Sequence, residues 1–201
     1  MMDLFIKGGV LMYPIGFCSV VTVAIGLERF WALQRNRIIP SREVRDIETL
    51  VDSGKIMPAL ERCRASGSAY AQIVASVLQN VGERRGVIKE AVQEVGREEV
   101  VHMEQYLTFL GTIALIAPLL GLLGTVLGMI KVFTVISGQG VGDPAVLASG
   151  ISEALMTTAA GLSVAIPSLI LHRHFERRVD QFAVELEQSA LRIVENIKSG
   201  N

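Results

Sequence analysis

The chain has 201 residues, half of them hydrophobic, and 19 Lys and Arg against 20 Asp and Glu give a net charge of −1. The positive mean hydropathy argues that much of the chain is not in water. The near-zero net charge excludes little by itself, but the placement of the charges is informative.

Residues 8–27, 107–130 and 154–171 carry no charged side chain. At 1.5 Å rise per residue each window spans ~27 Å or more, close to the thickness of a bilayer's hydrocarbon layer. Buried helices of a soluble core are the alternative, but 201 residues are too few to cover three such windows. The expected fold is an all-α integral membrane protein with three transmembrane helices and long cytoplasmic helical extensions.

In chain order, residues 1–7 form an outer arm and 8–33 the first transmembrane helix. Residues 34–106 form a cytoplasmic helical region and 107–136 the second transmembrane helix. An outer link follows at 137–149, a third transmembrane helix at 150–171, and a cytoplasmic C-terminal helix at 172–201. Orientation follows from basic residues, which favour the cytoplasmic side. The arm has Lys7 alone, residues 34–106 have eleven Lys and Arg, the link has none and the tail has five. The N-terminus is therefore expected outside and the C-terminus inside. Ala24-Ile25-Gly26 resembles a signal-cleavage site, but cleavage would put the basic region outside; an uncleaved first span is expected. Trp31 and Tyr106 stand where interfacial aromatics belong, and Glu28–Arg29 reads as an interfacial pair anchoring the first span.

Within 34–106, Ser41 is expected to cap a helix with Val44, Ile47, Leu50 and Val51 inward, ended by Gly54. A second helix follows Pro58, with Leu60 inward, and stops near Gly67. A third carries Ile73, Val74, Val77, Leu78 and Val81 up to Gly82. From Arg85 no loop signal precedes the second span, which predicts one helix from near Arg85 to near Ile136, roughly 75 Å long. In the link, Asp143 is a good N-cap and Pro144 suits a first helical turn. The tail keeps Phe182, Leu186, Ser189 and Ile193 at helical spacing. Cys18 and Cys63 fall in a span and in the cytoplasmic region, so no disulfide is expected, and neither has a metal-ligand partner at useful spacing.

The second span holds PLLGLLGTVLGMI, beginning at Pro118. Small or kinking residues at 111, 114, 118, 121, 125 and 128 alternate by three and four, which predicts one face containing Pro118, Gly121, Thr125 and Gly128, with Gly124 among the same close-packing glycines. The third span repeats the pattern with Ala154, Thr158, Gly161, Ala165 and Ser168, and a neighbouring stripe holds Gly150, Glu153, Thr157 and Ala160. Close helix packing explains the glycines. It explains Thr125, Thr158 and Glu153 less well, because a hydrogen bond in a membrane bundle contributes only ~0.6 kcal/mol. An ionisable group in a span costs on the order of 3 kcal/mol at the centre and points to a cavity or a partner. Glu153 lies about 14 Å into a helix starting at Pro144. Lys131 is expected to snorkel toward the outer surface. His172 and His174 lie on different helix faces, so no metal site is expected; no cofactor, nucleic-acid partner or enzymatic motif is read either. A stand-alone proton carrier needs a titratable group near mid-membrane, and none is read in spans one and two, so the chain reads as half of a pathway whose other titratable group belongs to a partner.

APLLGLLGTVLGMIKVF at 117–133, GISEALMTTAAGLSVAIPSLI at 150–170 and GLERFWAL after the first span resemble the ExbB/TolQ/MotA proton-channel family, above all its ExbB and TolQ branch. The resemblance implies a homopentamer around a dimer of an ExbD- or TolR-like single-span partner, with the second and third helices lining an oligomeric pore. The partner's transmembrane aspartate would carry the proton. Thr125 matches the pore threonine of GTVxG, and Glu153 and Thr158 match the glutamate and second threonine of EALxxT. Pro118 and Pro167 match positions in the same motifs. Leu127 stands where many relatives have tryptophan, and Thr157 where alanine is common. The implied role is energising a TonB-like protein, or a TolA-like one in envelope maintenance, from the bacterial inner membrane among its lipids. A passive scaffold and an independent channel are the rival readings.

Overall fold

The computed structural model of the chain describes residues 9–139 and 144–199. The expected outer arm with Lys7 and the capping Asp143 lie outside the described residues. The regular elements among the described residues are all helices: α1 Met12–Ala32, α2 Arg35–Ile38, α3 Ser41–Asp52, α4 Ile56–Arg64, α5 Ala69–Gln79, α6 Arg85–Glu104, α7 Leu107–Gln139 and α8 Pro144–Ser199. Three of them, α1, α7 and α8, are long and apolar enough to cross a membrane.

The chain divides into two compact units. One comprises the described residues up to Glu28 together with Tyr106–His174; the other comprises Arg29–Gln105 and the described residues from Phe175 onward. In the first, α1, α7 and the first half of α8 meet around Ile113, Ala117 and Ala165, with Cys18, Val21 and Val164 packed against them. Their outward faces carry Phe17, Val20, Leu119, Leu122, Leu155 and Ile166, all more than half exposed in the isolated chain. A hydrocarbon solvent suits that arrangement, because lipid tails solvate such side chains as well as a protein core does.

The second unit has an ordinary buried core. Ile47, Val51, Leu60, Val74 and Val77 from the short helices are buried with Phe175, Phe182, Leu186, Ser189 and Ile193 from the tail of α8. Ser68 caps α5 by accepting from the Ala71 amide at 3.2 Å and donates to Glu43 Oε2 at 3.1 Å. Glu43, rather than Val44, therefore takes the inward position on α3. Burial pushes the Cys63 thiol up to about 11, helped by the Glu43 charge and opposed by Arg62. Both cysteines are free.

Two helix boundaries differ from expectation. α3 takes Pro40 as its N-cap, with extended backbone and no side-chain cap, and Ser41 is already helical; the Pro40 carbonyl accepts the Val44 amide at 3.0 Å. More consequentially, the single helix predicted from near Arg85 to near Ile136 is two helices. Gln105 at φ −48°, ψ 135° and Tyr106 at φ +64° make a tight turn between α6 and α7. Tyr106 thus stands in the left-handed backbone region that favours glycine, at a cost of roughly 1–2 kcal/mol. The freed carbonyls at the end of α6 are met by Arg29, whose guanidinium donates to Met103 O at 3.2 Å and His102 O at 3.4 Å. A cation there also complements the negative end of the helix dipole. Arg29 is only 4% exposed. It is thus turned into the protein rather than standing as an interfacial anchor. Trp31, by contrast, is 65% exposed, and Glu28 is exposed as well.

Candidate functional site

α7 and α8 approach so closely that side chains are excluded from the seam between them. A Cβ on Gly161 would stand 2.5 Å from Ala117 O, and one on Gly121 would stand 3.0 Å from Thr158 Cα. On Gly124 it would meet Thr157 Cγ2 at 2.5 Å, and on Gly128 it would meet Ala154 Cβ at 2.9 Å. Glycines from each helix therefore face the backbone or small side chains of the other, the arrangement that gives membrane helices their dispersion contact.

The buried row on α7 runs through Leu110, Ile113, Ala117, Gly121, Gly124, Gly128 and Val132, and on α8 through Gly150, Ala154, Thr157, Gly161, Ala165 and Ser168. Both rows are rotated from those expected. Gly124 takes the place assigned to Thr125, and Thr157, 1% exposed, takes the place assigned to Thr158. Pro118, Thr125 and Thr158 are half-buried at the edge of the seam, and Pro167 is exposed. The helix period admits either row, and the contact partner selects between them.

The edge residues fall into two groups. Thr158 Oγ1 donates to Gly121 O at 3.0 Å, crossing from α8 to α7 one turn from Thr125. Thr125 Oγ1 donates to Leu122 O at 2.6 Å within its own helix. Glu153 lies elsewhere. Five positions from Thr158, it stands about 140° away around α8, and its carboxylate accepts from Lys131 Nζ at 3.0 Å. Lys131, six positions from Thr125, stands about 120° away around α7. α1 and the residues just before it cover this second flank: the Glu153 carboxylate lies against Gly9, and Cys18 and Val21 of α1 pack with Val164. Thr125 and Thr158 thus share the flank that α1 leaves open, while Glu153 and Lys131 share the flank that α1 lines. Among the three residues assigned to the proton pathway, the geometry groups the threonines and separates the carboxylate.

Lys131 therefore turns to a carboxylate, where outward snorkelling was expected. Its side chain is 68% exposed and that of Glu153 26%. In water so open a pair contributes only ~0–1 kcal/mol. Within a span the unpaired acid is the costlier state, on the order of 3 kcal/mol at the centre and less near an interface, so pairing prevails.

A further polar contact was not anticipated from the sequence. Thr22 Oγ1 and Ser168 Oγ are 2.8 Å apart, joining α1 to α8, and the two residues are 4% and 0% exposed. The available signal was a hydroxyl within each apolar window. Neither residue betrays its partner, because the residues lie 146 positions apart. At the inner end of α8 the His172 ring lies over Gly111, with Nε2 3.2 Å from the position a Cβ would take. Among the described residues no cluster of three or more His, Cys, Asp or Glu is placed to hold a metal.

Comparison with known proteins bears on this geometry directly. Residues 65–188, more than half of the chain and including the α7–α8 seam, match the MotA/TolQ/ExbB proton channel family. The chain is 35% identical to the putative biopolymer transport protein ExbB-like 1 of Synechocystis sp., over 86% of its own length and 69% of that protein. It is 28% identical to a putative biopolymer transport protein ExbB homolog of Methanothermobacter thermautotrophicus, over 92% of its own length and 66% of that protein. With the Tol-Pal system protein TolQ of Haemophilus influenzae the identity is 27%, over 89% of the chain and 85% of the relative. Three apolar helices, the glycine seam and these matches make the chain a multi-pass membrane protein belonging to the MotA/TolQ/ExbB proton channel family, in its ExbB/TolQ branch.

Proposed function

We propose that the chain is the channel subunit of an inner-membrane complex that uses the proton motive force to do mechanical work on a TonB-like protein, together with a single-span ExbD/TolR-like partner. The observation that carries this reading is the open flank of the α7–α8 seam, where Thr158 reaches Gly121 O and Thr125 stands one turn away. Each hydroxyl donates its one proton to a backbone carbonyl, which leaves its lone pairs to accept from a protonated partner carboxyl; rotating off the carbonyl lets either donate to the carboxylate. Several copies arranged with this flank inward, five by resemblance, would surround the partner's helix pair with small residues and hydroxyls. The outer arm and link would then face the periplasm and the tail the cytoplasm. A proton crossing about 150 mV releases roughly 3.5 kcal/mol, enough to move a helix pair between shallow hydrogen-bonded positions.

The test is proton flux into liposomes holding the chain and its partner, with Thr158→Val and Thr158→Ser compared. Val keeps the shape and removes the hydroxyl, and Ser keeps the hydroxyl. Flux falling at least tenfold in the Val variant and surviving in the Ser variant, with assembly intact in both, supports the pathway. Equal flux in the wild type and the Val variant overturns it.

A further inference from the structure

We propose that Lys131 is the positioning residue for Glu153, and that the two act as one unit at the outer end of the α7–α8 hairpin. The inference rests on the channel reading for its functional part and on geometry alone for the pairing. Lys131 lies eight positions before the end of α7 at Gln139, and Glu153 nine positions after the start of α8 at Pro144. The two antiparallel helices thereby bring them to one height, about 12–14 Å from the helix ends. Their contact of 3.0 Å bridges the two helices that form the seam.

The pair fixes the conformation of the carboxylate. Helical position puts Glu153 on the α1-lined flank, about 140° around α8 from Thr158. There the Lys131 ammonium holds its carboxylate against Gly9. Thr157 Oγ1 donates to the Glu153 backbone carbonyl at 2.7 Å, one turn along α8. Lysine suits the task. Its long apolar stem lies along the helix while the ammonium reaches its partner. With both charges mutually satisfied, neither group is left bare in the span, and the open flank keeps its hydroxyls free of a fixed negative charge.

The experiment uses the full-length chain and two readouts. The first is the thermal midpoint of the detergent-solubilised protein for Lys131→Met, Glu153→Gln and the double variant. A double shift clearly smaller than the sum of the single shifts is expected for a coupled pair; additive shifts overturn the pairing. The second is partner-dependent proton flux in liposomes. Lys131→Met is expected to lose at least fivefold, the double variant to lose no more than the worse single variant, and Lys131→Arg to stay within twofold of wild type. The exchanged pair, Lys131→Glu with Glu153→Lys, is expected to exceed either single reversal. Wild-type flux in Lys131→Met, or an Arg variant as poor as Met, overturns the functional role even where the midpoints show coupling. A silent wild type with partner present instead defeats the channel reading, and the midpoint cycle still decides the pairing.

Discussion

Cys63 is a thiol held out of water by α3 and α5 neighbours, with a buried carboxylate, Glu43, close enough to resist its ionisation. Raising it from 9.0 to about 11 leaves roughly a hundredfold less thiolate at pH 8, and thiolate is the reactive form. In a Cys18→Ser background, alkylation of Cys63 at pH 8 is expected to be about a hundredfold slower than in the denatured chain, and the measured rate ratio checks this. The linkage has a definite sign. The folded state holds the proton more tightly, so this contribution to stability is complete below pH 9 and is lost as pH rises toward 11. Tyr70 shows the same effect, its phenol pushed up first by burial and then by the Glu48 charge. The sequence indicated that Cys63 had no disulfide or metal partner. It did not reveal Glu43, because that residue becomes a neighbour only when α3 turns its carboxylate inward to Ser68.

Among the elements, the pair α7 and α8 is set by glycine. Gly161→Ala would force a methyl to within 2.5 Å of Ala117 O, and backbone on the other side leaves nothing that can rotate away. An overpacked site of this kind costs roughly 1–3 kcal/mol. The expected outcome is a lower thermal midpoint in detergent. That the spans would pack through small residues was legible, since alternate spacing of three and four is a helix-face signal. Which of two overlapping rows makes the contact was not. Rows through 124 or 125, and through 157 or 158, satisfy the period equally, and the choice belongs to the partner helix. The turn at Tyr106 was hidden for a related reason. No glycine or proline marks it, and the compensating donor is Arg29, 74 positions from Met103. A local reading of propensity continues a helix there because nothing local opposes it.

At the scale of the whole molecule, three spans expose large apolar side chains on their outward faces, and Thr125 and Thr158 share the flank that α1 leaves open. An assembly with an open flank and no titratable group on it is expected to be a poor channel by itself. Purified chain reconstituted alone should therefore pass few protons, and addition of the single-span partner should raise the flux at least tenfold. Substantial flux without partner would show that Glu153 suffices.

Composition and periodicity alone determined the class of this protein. Three uncharged windows of bilayer length in a chain too short to cover them point to membrane helices, because unsatisfied backbone groups and charges are expensive in hydrocarbon. Two motifs were enough to indicate the family. Only the tertiary structure decided which hydroxyls are spent inside the subunit and which remain at its edge. Thr157 is buried against Gly124, Thr22 is paired with Ser168, and Thr158 and Thr125 stay on the open flank. It likewise decided that Glu153 has a cation beside it. The physical reason is common to all of these. Period assigns a residue to a helix face, but only the neighbouring helix determines whether that face meets a glycine, a charge or nothing.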